Sequence, residues 1–126
     1  LSDKIFSSPE LREAVNSIIH PVVRADFIEW VQQHAQQPLI FNEAAILFET
    51  NAFKNFDANI LIYAPEDIKI QRISKRDKIS KEKIKKKINS QWSDTKKKVL
   101  TRHHILNDGI TPLLIQIEEV LKKLNQ

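Results

Sequence analysis

The chain has 126 residues, a hydrophobic content of 41% and a net charge of +4, enough for one soluble domain with a real core. It holds no cysteine, which excludes disulfides and thiolate metal sites and makes a reducing cytosol the expected, cytoplasmic compartment. No apolar run approaches the ~20 residues of a membrane span, and the opening LSDKIF lacks the basic-then-apolar pattern of a signal peptide.

The sequence has no methionine and one glycine, Gly109, so the expectation is a part of a longer protein. The charge is unevenly spread. Residues 69–98 hold thirteen Lys/Arg against three acids, +10 in all, which leaves −6 on the rest of the chain. A cationic block on an acidic body suits an anionic partner, either nucleotide phosphates or nucleic acid.

In chain order, residues 1–8 are a short lead-in. Ser8 is placed to cap a helix with Pro9 at its first position and Glu10 in its first turn. Leu11, Val15, Ile18 and Ile19 continue it as a helical stripe. His20-Pro21 predicts a break, because the residue before proline avoids the α region. A second helix then carries Val23, Phe27, Trp30 and Val31 on one side and ends by Pro38. Leu39, Ile40 and Phe41 predict a short buried strand, with Asn42 and Glu43 at its carboxyl end, where open α/β sheets bind ligands. Ala44 to Phe48 is apolar again and Glu49 closes it.

Residues 59–77, NILIYAPEDIKIQRISKRD, are the stretch around which the chain is organised. Ile60 to Tyr63 predicts a second strand. Pro65 with Glu66 and Asp67 predicts the start of a helix, on which Arg72 and Arg76 lie four apart on one face. Guanidinium forks match phosphate oxygens; the competing reading is a solvated basic helix end. Ser80 predicts a cap for one long basic helix over residues 81–98, with Ile84, Ile88, Trp92 and Val99 on one side. The lysine clusters read as its solvated face. His104, Ile105 and Leu106 predict a third strand, Asn107-Asp108-Gly109 a turn, and Thr111-Pro112 the start of a last amphipathic helix. Strands alternating with helices argue for an α/β parallel sheet with helices on both sides. His34, His103 and His104 lack metal-ligand spacing and read as structural.

Five pieces stand in register with one family: His20-Pro21, Ile46-Leu47-Phe48-Glu49, Gln71-Arg72 with Arg76-Asp77, Gln91, and Asn107 with Gly109. In this the chain resembles dephospho-coenzyme A kinase over nearly its whole length. The resemblance implies a three-layer P-loop kinase fold and ATP-dependent phosphorylation of the ribose 3′-hydroxyl of dephospho-coenzyme A. ATP and Mg2+ would be held mainly by an N-terminal unit, because the loop GxxxxGK[ST] is absent from these residues. The chain alone is therefore expected not to catalyse phosphoryl transfer.

The resemblance further implies a helical substrate part over residues 1–37, core strands and connection over 38–65, a basic helical lid over 66–98, and a core strand with the C-terminal helix over 99–126. Arg72 and Arg76 would be catalytic, and Arg72 with Asn107 would bind nucleotide. His20, Leu47, Phe48, Glu49 and Gln91 would bind substrate. For His20 the alternative is an end cap of the first helix, for Glu49 the orientation of a helix terminus or a surface carboxylate, for Gln91 a plain lid contact, and for Asn107 an ordinary turn. The pattern departs from the family at Ala45-Ile46, where it has Pro-Leu, at Thr101-Arg102, where it often has Ala-Asp, and at Glu43, where it often has aspartate. Glu43 is a poor candidate for general base. No metal site is expected within the chain. Small-molecule partners are expected, with no nucleic acid and no membrane; the sequence sets no oligomeric state. The alternatives are a nucleoside or nucleotide kinase of similar layout, and a basic nucleic-acid-binding module over residues 81–98. The latter needs aromatic side chains beside the lysines, and only Trp92 is there.

Overall fold

The computed structural model of the chain describes residues 8–125; the expected lead-in over residues 1–7 lies outside them. The described residues divide into two compact units between Glu43 and Ala44.

The first unit carries helix α1 (Pro9–Gln33). Ser8 caps it as expected, its Oγ accepting the Leu11 N–H at 3.3 Å. The expected break at His20-Pro21 does not occur, and Pro21 lies inside the helix. An internal proline removes one backbone donor and costs about 3 kcal/mol, and a capped helix of 25 residues bridges that defect. At the other end the His34 N–H donates to the Val31 carbonyl at 3.0 Å, and the His34 ring stacks on Trp30 with centroids 4.4 Å apart. Residues 39–41 are irregular, not the strand expected there. Their apolar run supplies strand composition, but a strand also needs a hydrogen-bonded neighbour, and none of the described residues pairs with it.

The second unit is an α/β arrangement on a parallel sheet. Strand β1 (Ile60–Tyr63) pairs with β2 (His103–Leu106), in register from Ile60↔His103 to Tyr63↔Leu106. Parallel pairing requires a long crossover, which here runs through helices α2 (Glu66–Asp77), α3 (Lys81–Asn89) and α4 (Asp94–Lys98). The pair is fastened at both ends. Thr101 Oγ1 donates to the Asn59 carbonyl at the start, and the Asn107 N–H donates to the Tyr63 carbonyl at 2.8 Å at the finish. Leu61 and Ile105 from the sheet are buried, with Phe48, Ile84 and Val120 from the segments around it.

Helix α5 (Leu113–Leu124) follows Pro112 as expected. Its Gln116 does more than face the sheet: Oε1 accepts the Leu106 N–H at 2.8 Å and Nε2 donates to the Leu106 carbonyl at 3.0 Å. A side-chain amide thus takes the place of a neighbouring strand at the end of β2, blunting an edge that could otherwise recruit another chain.

The single basic helix expected over residues 81–98 is two helices, α3 and α4, separated by residues 90–93. Ser93 is the reason: its Oγ accepts the Lys96 N–H at 3.2 Å, and Asp94 occupies the first turn of the new helix. A restarted helix resets the side-chain phase. Ile84 is fully buried as expected, but Val99 is 81% exposed, and Lys97 is buried where a solvated lysine face was expected.

Candidate functional site at the carboxyl end of the sheet

Both strands run toward the same edge, so the segments after Tyr63 and Leu106 emerge together. The first enters α2 through Pro65, whose carbonyl accepts the Lys69 N–H at 3.0 Å. The second is the turn at Asn107, Asp108 and Gly109. Asp108 Oδ1 accepts the N–H groups of Ile110 at 2.9 Å and Thr111 at 2.7 Å, and Oδ2 accepts the Thr111 hydroxyl at 2.9 Å. These donors, the Thr111 N–H above all, hold the Asp108 carboxyl below the usual carboxylate range.

Arg72 closes this edge. From α2 its Nη1 donates to the Asn107 carbonyl at 2.7 Å. Gly109 adopts φ +85°, and a Cβ there would lie 3.4 Å from Arg72 Nη2. The glycine is needed for the left-handed backbone, while a Cβ there would meet the guanidinium only at contact distance. Gly109→Ala should cost about 1 kcal/mol of stability through backbone strain. The check is a lowered melting temperature of the variant.

The two arginines share a helix face but not a partner. Arg76 Nε donates to its neighbour Asp77 at 2.7 Å, and Lys87 Nζ of α3 reaches the same carboxylate at 3.2 Å. The Arg76 hydrogen bond, followed by that from Lys87, lowers the Asp77 carboxyl to about 2. Asn107 meets Arg72 through its backbone carbonyl.

Glu49 is drawn into a different cluster. Its loop is seated by buried Phe48, whose ring lies 5.4 Å from that of Phe53, while Leu47 is half-buried and accepts the Phe53 N–H at 3.3 Å. Glu49 Oε1 accepts the Trp92 N–H at 2.8 Å and pairs with Lys97 Nζ at 2.9 Å. Both side chains are largely shielded, at 14% and 8% exposure. Of the readings the sequence left for Glu49, the described contacts are those of a carboxylate beside the start of a helix. Gln91 stands next to this junction, exposed, with its N–H on the Ile88 carbonyl at 3.2 Å. His20 sits half-buried inside α1, not at a helix end.

Lys97 is the residue that sequence reading missed. The signal was present in Ser93-Asp94, a cap and first-turn acid in mid-segment, which ends one helical phase and starts another. Asp94 was missed for the same reason; its Oδ2 pairs with Lys69 Nζ of α2 at 2.5 Å. Trp92, the aromatic that a nucleic-acid surface would need, has Lys96 Nζ 3.4 Å from its ring centroid and is half-buried.

No group of three or more His, Cys, Asp or Glu among the described residues is arranged to hold a metal ion.

The dephospho-CoA kinase family model matches residues 1–112. A dephospho-CoA kinase of Bacteroides fragilis is 36% identical over 126 residues, covering 100% of this chain and 62% of the relative. One of Acinetobacter baylyi is 38% identical over 109 residues, covering 86% of this chain and 55% of the relative. Among solved structures, TT1252 from Thermus thermophilus superposes with a TM-score of 0.80 at 26% identity, over 98% of this chain and 62% of that one. Dephospho-CoA kinase from Campylobacter jejuni gives a TM-score of 0.59 at 26% identity, over 98% and 61%. The chain thus spans less than two thirds of the length of these relatives. A match that runs from the first helix through the Arg72 and Asn107 edge places the chain in the dephospho-CoA kinase family.

Proposed function

We propose that the full-length protein phosphorylates the ribose 3′-hydroxyl of dephospho-coenzyme A with ATP, the last step in making coenzyme A, in the cytosol. The observation that carries this reading is the contact between Arg72 and the Asn107 turn at the carboxyl end of a parallel sheet, in a chain that belongs to this family. That edge is where open α/β folds bind ligands.

In this reading each residue has its own task. Arg72, oriented by the Asn107 carbonyl, keeps further N–H donors for a phosphate oxygen. Arg76 adds positive potential around the transferring group. Asn107 and Gly109 leave room for the nucleotide. Leu47, Phe48, Gln91 and His20 serve the substrate side, and Glu49 orients the start of α4. Residues 66–98 act as the lid, and residues 1–37 as the helical substrate part. ATP would supply the phosphoryl group and Mg2+ its charge neutralisation; neither finds a complete cradle among these residues, and the phosphate-binding loop would lie in the remainder of the protein.

The test is formation of ADP and coenzyme A by the full-length protein. Turnover dependent on dephospho-coenzyme A supports the reading; good turnover of nucleoside monophosphates without it overturns the reading in favour of a nucleotide kinase. The 126-residue chain alone is expected to be inactive.

A further inference from the structure

Three elements grip the five-residue helix α4. Glu49 takes the Trp92 N–H just ahead of it and Lys97 within it, at 2.8 and 2.9 Å. Asp94 takes Lys69 of α2 at 2.5 Å. Lys98 Nζ lies 3.5 Å from the centroid of the Tyr63 ring at the end of β1. Helix α3, just upstream, is held differently: its one buried side chain is Ile84, and Lys81, Lys83, Lys85, Lys86 and Lys87 are exposed. The chain enters it past Lys78 at φ +52° and leaves it through irregular residues 90–93.

We infer that Glu49 is a positioning residue: by holding the Trp92 amide and Lys97, it fixes the point at which the basic segment of residues 78–91 is rooted on the sheet. A shielded carboxylate that accepts both a backbone N–H and an ammonium is a directional anchor, stronger than a neutral pair. With the root fixed at Trp92, the freedom of the segment is confined to its two ends, Lys78 and residues 90–91. The turnover arm of the test rests on the proposed function; the exchange arm does not.

The test compares full-length wild type with Glu49→Gln and with the double variant Glu49→Leu/Lys97→Met. The glutamine keeps an acceptor for the Trp92 N–H but gives up the ion pair. The double variant removes both charges together, and replacing a buried pair by apolar side chains is often neutral for stability, yet it leaves the Trp92 N–H without its acceptor. Amide exchange from Trp92 through Lys98 is expected to rise by about tenfold or more in the double variant, with β1 and β2 as protected as in wild type. In the double variant the kcat should fall by about tenfold at little changed KM and melting temperature, whereas Glu49→Gln, which leaves the shielded Lys97 without its carboxylate, should lower kcat less and the melting temperature more. Should the double variant fail to fold, the same comparison is read on Glu49→Gln, with smaller expected changes in exchange and kcat. Wild-type exchange at Trp92 and wild-type kcat in a folded variant overturn the proposal. So does a loss of kcat that follows the melting temperature, with exchange raised throughout. If wild type itself leaves dephospho-coenzyme A untouched, the proposed function fails, and exchange at Trp92 alone decides the role of Glu49.

Discussion

Arg72→Lys in the full-length protein should lower turnover by about ten- to a thousandfold, a transition-state loss of roughly 1.4–4 kcal/mol. The variant keeps the positive charge but loses the planar fork. In wild type one arm of that fork is spent on the Asn107 carbonyl at 2.7 Å, and the other lies close over Gly109. An ammonium has a single centre and cannot hold the loop while presenting a second, fixed donor to a phosphate. Phosphoryl transfer spreads charge over non-bridging oxygens, and a preorganised donor lowers the barrier because it need not reorient as that charge develops. Helix α2 tolerates either side chain, so the melting temperature should change little. Lys85→Ala, on the exposed side of α3, is the control. Equal small effects at both positions would reduce Arg72 to a solvated basic residue; a large loss with a matching fall in melting temperature would make its role structural.

Lys97→Met should have the largest effect on stability, about 3 kcal/mol at neutral pH, because it leaves the Glu49 carboxylate shielded and without its cation. Lys69→Ala breaks an ion pair too, but Lys69 and Asp94 are 30% and 27% exposed, and solvent screening limits that loss to about 1 kcal/mol or less. Denaturant unfolding of the two variants checks the contrast.

The pH dependence has a definite sign. Burial raises the Glu49 carboxyl, but the Lys97 bond and the backbone N–H groups of Glu49 and Trp92 outweigh it and leave it below the usual carboxylate range. A lowered carboxylate contributes stability that is complete above the ordinary carboxylate range and lost as pH falls through the folded value. The gap between wild type and Lys97→Met should therefore be full at neutral pH and close progressively in acid. A gap that widened in acid would mean that Lys97 stabilises the fold through something other than Glu49.

Local chemistry determined much of this protein. Ser8 and Ser80 mark the starts of α1 and α3, because a cap needs only a side-chain oxygen and three residues of chain, and Pro65 with the acids after it marks the start of α2. The short runs Ile60 to Tyr63 and His104 to Leu106 identify the two paired strands. The motifs carried by Arg72, Arg76, Asn107 and Gly109 carry the family resemblance, which the family match over residues 1–112 bears out.

Other features depended on partners far along the chain, and there only the tertiary structure decided. Residues 39–41 have the composition of a strand, but strand formation depends on a neighbour's hydrogen bonds, and no described residue supplies them. Pro21 lowers helix propensity locally, yet the helix on either side of it outweighs one lost bond. Lys97 belongs by composition to a solvated lysine run. Its burial follows from Glu49, 48 positions earlier in the sequence, which offers it a carboxylate beside the start of α4. Periodicity records which residues share a face of one helix; it holds no record of a charge that meets its partner across the fold.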